Sequence, residues 1–133
     1  MSPNEKAVRA YIDAFNRGDW DAMHDIFTED ARIQGVLGHA TLDWALDIWK
    51  GLHEAMGCRL EPVAIAVDGD QVAVRYKETG RFAAPFIAYP DAEPTGKSYE
   101  VLAMEWFDCR DGRINQRWGA RDSATIRKQI LGE

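Results

Sequence analysis

Cysteine is scarce in this chain. Cys58 and Cys109 are the only two, they lie far apart, and they form no CxxC motif. That excludes a disulfide framework and a CxxC redox or zinc site, and it fits two unpaired core thiols in a reducing compartment. No apolar run approaches the ~20 residues that span a bilayer, so no membrane partner is expected. The N-terminal stretch Met1-Ser-Pro-Asn-Glu-Lys6 lacks the apolar segment of a secretory leader, and the expected location is the cytoplasm. Positive charge is in deficit: 16 Lys and Arg stand against 22 Asp and Glu, a formal net charge of −6. Nucleic-acid binding needs a clustered basic patch, so no nucleic-acid partner is expected. Internal repeats, low-complexity tracts and linkers are missing too. There is no HExxH, Walker-type loop, nucleophile elbow or GxGxxG. The three histidines show no metal-ligand spacing, and neither a metal nor a cofactor is expected.

What is present is enough for one core. A chain of 133 residues buries roughly 65–70% of its unfolded surface, and residues 1–133 read as a single domain. Ser2, Pro3 and Glu5 form a capping box at N-cap, N1 and N3 of a first helix. Val8, Tyr11, Ile12 and Phe15 follow at helical spacing, and Gly18 ends the helix. Asp19 caps a shorter second helix with Trp20, Met23, Ile26 and Phe27 on its apolar face, and a short strand follows over 31–36. Thr41 caps a third helix, which Gly57 stops. From Arg59 the period changes to two. Strands are predicted over 59–67, 71–82, 97–109 and 113–121, with a Pro-rich connection over 83–96 and a terminal helix over 123–131. Connections of that length are often binding loops. This order predicts an α+β fold, with three N-terminal helices packed on a curved, mostly antiparallel sheet and a short C-terminal helix.

Asp111-Gly112 between two apolar runs is a strong hairpin signal, because both central positions of a type I′ turn need φ > 0. A two-residue turn places Arg110 opposite Arg113, Cys109 opposite Ile114, Phe107 opposite Gln116 and Glu105 opposite Trp118, whereas a three-residue turn with Gly112 as a bulge slips these partners by one and keeps the alternation within each strand. Strand alternation then puts Val101, Ala103, Glu105, Phe107, Ile114, Gln116, Trp118, Ala120 and Asp122 on one face, which reads as a cavity wall holding a few polar groups. The strand from Val101 to Phe107 is also apolar on its other face, through Leu102, Met104 and Trp106. A sheet face in water should be polar. No helix is left to cover it, so a homodimer through the face bearing Trp106 is expected.

Several motifs in sequence order resemble the SnoaL-like branch of the nuclear transport factor 2-like superfamily. They are Tyr11…Phe15-Asn16-Arg17-Gly18-Asp19, Asp68-Gly69-Asp70-Gln71-Val72-Ala73-Val74-Arg75, Pro94-Thr95-Gly96-Lys97, Asp111-Gly112-Arg113-Ile114 and Trp118-x-x-x-Asp122. The resemblance implies a cone-shaped α+β barrel, a deep apolar pocket and a homodimer. Characterised cyclases of the group close a ring of an aromatic polyketide by an intramolecular aldol reaction, without metal or organic cofactor. An aspartate acts there as general acid/base, and by motif it maps onto Asp122. The chain departs from the pattern at two places: Glu78-Thr79-Gly80 stands where many relatives have Gly-Thr-His, and Met56-Gly57 where a Pro-Asp pair is common. The group also holds many members of unknown activity and some that only bind ligands.

The resemblance and the hairpin face together nominate a site. Asp122 is the candidate base, its pKa raised toward working pH by apolar neighbours such as Trp118 and Val101. Asp122 is equally a standard N-cap for the last helix. Glu105 is the second candidate acid/base, or else a structural partner of Arg75 or Arg81, since a carboxylate is almost never buried unpaired. Gln116 is placed to orient a carbonyl. Phe15, Trp49, Phe107 and Trp118 are the candidate walls for a hydrophobic small-molecule ligand. The expected function is that of a cofactor-free cyclase or isomerase, with a non-catalytic small-molecule-binding module as the alternative.

Overall fold

A computed structural model describes residues 1–133. Helix α1 spans Pro3–Arg17, and the Ser2 side chain accepts a hydrogen bond from the Glu5 backbone N–H as the capping box requires. Gly18 closes it at φ 70°, a left-handed conformation that costs glycine little. The second helix is shorter than its apolar spacing suggests. Asp19 accepts from the Ala22 N–H, but only Met23–Ile26 (α2) are helical, and Phe27 already opens strand β1 (Phe27–Gly35). A short strand β2 (Gly38–Thr41) that periodicity did not reveal returns antiparallel to β1. Helix α3 (Leu42–Met56) runs from a Thr41 cap to Gly57, as expected. Strands β3 (Arg59–Asp68), β4 (Gln71–Arg81), β5 (Ser98–Arg110) and β6 (Arg113–Arg121) follow, and α4 (Ser123–Leu131) ends the fold.

All six strands form one mixed sheet in the order β2-β1-β6-β5-β4-β3. Its pairs are antiparallel except β1 with β6, which is parallel. The α+β class and the helix-on-sheet layering hold. The cone-shaped barrel does not: the sheet is neither closed nor strongly curled. Closure would need β2 to pair with β3, and these two strands remain free edges. β2 has only four residues, and β3 carries Pro62 beside a register shift, both of which blunt an edge against further pairing. The sheet's inner face is instead covered by α1 and α3, whose Val8, Tyr11, Phe15, Leu46 and Trp49 pack on Val72, Val74, Tyr76, Ala103 and Phe107 in the main core. A smaller core gathers Met56, Phe82, Tyr99 and Val101 with Ile126 and Ile130 of α4.

The hairpin carries the largest correction. Its turn is as expected, with Asp111 at φ 54° and Gly112 at φ 76°, and Arg110 faces Arg113 and Cys109 faces Ile114. Beyond that point Asp108 pairs with Gln116, so Asn115 is an extra residue in β6. This is a β-bulge, and one extra residue turns every later side chain to the opposite face. Glu105 therefore lies opposite Gly119, Phe107 opposite Arg117, and Trp106 opposite Trp118. The expected inward set of Gln116, Trp118, Ala120 and Asp122 is turned away from the core, and Arg117, Gly119 and Arg121 take its place.

Candidate active site

Between α1, α3, the inner sheet face and the segment joining β4 to β5 lies a cavity of about 100 Å³, with 17 of its 23 lining residues hydrophobic. Phe15, Trp49, Leu52 and Leu60 contribute apolar wall, and Phe86 and Tyr89 reach in from the connecting segment. Ser123 at the start of α4 adds a hydroxyl to the lining, and the sheet supplies the remaining polar groups through Glu78, Glu105, Arg117, Arg121 and the hydroxyl of the aromatic Tyr99. These last five come from three neighbouring strands, β4, β5 and β6. On β4 and β5 they fall on the inward alternation, and on β6 the bulge at Asn115 brings the two arginines in.

Glu105 is 2% exposed and fully engaged. One carboxylate oxygen accepts from the hydroxyls of Tyr11 (3.1 Å) and Tyr76 (2.9 Å). The other accepts from the guanidinium of Arg117 and, at 3.3 Å, from Nη2 of Arg121. Two oxygens offer about four acceptor sites, and all are taken. Burial by itself raises the carboxyl pKa, but the charges of Arg117 and Arg121 and the tyrosine hydrogen bond outweigh it, and the group is held below its ordinary value. The same attraction, against the opposing effect of burial, pushes Arg117 and Arg121 up, with Glu78 the largest contributor at Arg121. Burial pushes the Tyr11 and Tyr76 hydroxyls far up, so both stay neutral donors.

Arg117 is fixed from several sides. Nη1 donates to the Gln34 carbonyl at 3.0 Å, the guanidinium stands 5.3 Å from the Trp49 ring centroid, and its Nε–H has no hydrogen-bond partner. Arg121 bridges two carboxylates, since its Nε donates to Glu78 at 2.6 Å while Nη2 reaches Glu105. Glu78, also 2% exposed, accepts a second hydrogen bond from the Tyr99 hydroxyl at 2.8 Å. Cys58 lies buried at the same end of the cavity, and burial drives its thiol pKa far up, which removes it as a nucleophile.

The residues nominated from the sequence divide. Phe15, Trp49 and Glu105 line the cavity. Phe107 is buried beside it, its ring 5.4 Å from that of Tyr11, and packs in the core. Gln116 does not line the cavity, and Trp118 belongs to a shallow apolar depression on the outer sheet face with Met104 and Trp106. Asp122 is exposed and caps α4, accepting from the Thr125 N–H at 3.0 Å and the Thr125 hydroxyl at 2.6 Å. Those hydrogen bonds lower its pKa, the reverse of what apolar neighbours would do. The expected partners of Glu105, Arg75 and Arg81, are replaced by Arg117 and Arg121. Glu78, Arg117 and Arg121 went unnominated. The one signal in the sequence was a pair of arginines spaced i, i+4 about Gly119, on the strand predicted to pair with the one that carries Glu105. No three His, Cys, Asp or Glu side chains converge as metal ligands, and no helix is long and apolar enough to cross a membrane.

Several solved structures share this fold. IdmH of Streptomyces antibioticus, provisionally named a polyketide cyclase, is 25% identical over 100% of both chains with a TM-score of 0.84. A Xanthomonas campestris protein of the same provisional description is 25% identical over 96% of both chains, also at 0.84. A SnoaL-like protein from Jannaschia is 20% identical over 98% of this chain and 93% of its own, at 0.86, and at that identity the likeness concerns the fold. No curated protein matches the chain in sequence. Residues 8–117 match the model of the SnoaL-like domain, and the chain belongs to the SnoaL-like family.

Proposed function

We propose that the cavity binds a hydrophobic small molecule and that the protein acts on it as a cofactor-free acid/base enzyme of cyclase or isomerase type. The observation that carries this reading is a mostly apolar cavity holding two arginines and two glutamates already fixed by hydrogen bonds. Charged groups oriented in a dry site stabilise charge that develops on a bound molecule without having to reorganise. Phe15 and Trp49 serve as walls, and Glu105 serves as the anchor that holds both guanidinium groups toward the ligand. The relatives provisionally named polyketide cyclases support the reaction class.

The cavity is small beside the ~300–1,000 Å³ of pockets for drug-sized ligands. A ligand of that size needs the connecting segment, with Phe86 and Tyr89, to move aside. The middle of that segment has backbone bonds within itself, from Tyr89 N–H to Phe86 O and from Ala92 N–H to Tyr89 O, so displacing it would break the packing of Phe86 and Tyr89 on the smaller core and the Arg127 contact with the Tyr89 ring.

The alternative, a non-catalytic binding module, is favoured by one observation: Glu105 has no acceptor site to spare. A panel of hydrophobic carbonyl compounds separates the two, read by shift in Tm and by mass spectrometry of the recovered compound. Stabilisation follows mass action. A shift with conversion supports the enzyme, a shift without conversion supports the binding module, and no shift with any compound rejects both. Outside the cavity, the uncovered apolar face bearing Leu102, Met104 and Trp106 supports a homodimer in which a second copy covers that face.

A further inference from the structure

We infer that Glu78 is the catalytic base of the cavity, and that its substrate class is a compact, largely apolar ketone with a hydrogen on the carbon beside the carbonyl. This rests on the reading of the cavity as a small-molecule site. Four carboxylates need weighing: Asp108 and Asp122 lie outside the cavity lining, and Glu105 and Glu78 lie within it. Glu105 accepts four hydrogen bonds and has no lone pair left for a proton. Glu78 accepts two, from Arg121 Nε and the Tyr99 hydroxyl, so it keeps acceptor capacity while both its oxygens are held in place.

The surroundings of Glu78 are built for this geometry. Tyr99 stands directly opposite Gly80 across β4 and β5. A Cβ on residue 80 would collide with the Tyr99 ring and lie 2.9 Å from the Met56 carbonyl oxygen. The absence of a side chain at Gly80 is what lets the Tyr99 ring lie down and its hydroxyl reach Glu78. Burial pushes that hydroxyl far above its ordinary pKa, so Tyr99 remains a neutral donor. Arg117 and Arg121 line the same cavity, and Arg117 retains an Nε–H without a partner.

The step balances without any further reactant. The Glu78 carboxylate removes the proton from the carbon beside the carbonyl, the C–H electron pair becomes the enolate double bond, and the carbonyl oxygen takes the negative charge facing the guanidinium groups. Protonated Glu78 then returns the proton to the same carbon or to one conjugated with it. Where the molecule carries a second carbonyl, the enolate carbon bonds to it, and Glu78 protonates the resulting alkoxide.

The test uses the full chain and 1-indanone in D2O, following exchange of its α-hydrogens by NMR and its binding by quenching of tryptophan fluorescence. The wild type should speed exchange at least tenfold over buffer at equal pH. Glu78→Gln, which keeps the shape and the Tyr99 contact, should bind 1-indanone within threefold of wild type and exchange at the buffer rate. Glu78→Asp keeps the charge but withdraws it by one methylene, and should slow exchange at least tenfold; it serves if the Gln variant does not fold. Exchange by Glu78→Gln at the wild-type rate overturns the assignment. Binding by the wild type without faster exchange also overturns it and leaves the cavity as a ligand site. Absence of binding by the wild type overturns the ligand-site reading itself.

Discussion

The guanidinium of Arg117 lies over Gly119, two residues further along the same strand. A Cβ on residue 119 would stand 2.7 Å from Arg117 Cζ and Nη1 and 2.8 Å from Nη2. The far end of a free arginine would swing aside at little cost. This one is tied to Glu105 and to the Gln34 carbonyl, so the methyl group must break those bonds or push the strand. Gly119→Ala should therefore destabilise the fold by about 1–3 kcal/mol, although Gly→Ala at an unstrained strand position is usually mildly stabilising. Urea denaturation of the two proteins at pH 7 measures the difference, and ligand affinity should fall along with stability.

Glu105 is the group on which the buried charges depend. Removing it leaves Arg117, 4% exposed, without its counter-charge, and breaking a buried pair costs about 3–5 kcal/mol. Glu105→Ala should show a loss of that order in urea denaturation. The pH dependence has a definite sign. Because the folded pKa lies below the unfolded one, the stability it contributes is complete above the ordinary glutamate value of ~4.3. It is lost as the pH falls from there through the lower folded value. Glu105→Gln should consequently show a flatter fall in stability than wild type below pH ~4.3.

These two residues also mark where the chain's sequence stops being readable. The caps at Ser2, Thr41 and Asp122, the stops at Gly18 and Gly57 and the Asp111-Gly112 turn are local chemistry, and each stands where its residue type demands. The face of β5 is legible for the same reason, since strict alternation places Glu105 and Phe107 inward. The face of β6 is not, because nothing in Ile114-Asn115-Gln116 announces an extra residue. The bulge sits where β6 must pair with β5 on one side and, in parallel, with an equally irregular β1 on the other. Strand pairing at long range decides it. The same holds for the open sheet, since periodicity within β2 and β3 says nothing about whether two distant edges meet.

Asp122 supplies a direct check of the face reversal. As an exposed cap of α4, it should matter for stability and not for the cavity. Asp122→Ala removes the acceptor for the Thr125 N–H and should lower Tm by about 2–5 °C. Asp122→Asn keeps a good N-cap and should leave Tm nearly unchanged. Both variants should bind a cavity ligand with wild-type affinity by fluorescence titration. A tenfold loss of affinity or turnover in Asp122→Asn would return the carboxylate to the site and remove the structural reading of it.

Trp106 and Trp118 face each other across β5 and β6 on the outer sheet face, with Leu102 and Met104 on the same face of β5, each about half exposed. Contiguous apolar surface of this kind on the middle strands of a sheet marks an interaction site, and a two-fold partner would place the same patch on both copies. Trp106→Glu puts a charge at the centre of that patch and leaves the cavity lining untouched, because Trp106 points away from it. Light scattering should show a dimer for the wild type and a monomer for Trp106→Glu across micromolar concentrations. The variant should keep ligand affinity while its Tm loses the concentration dependence that dimerisation gives the wild type. A monomeric wild type, or a variant that stays dimeric, would assign the patch to some other partner.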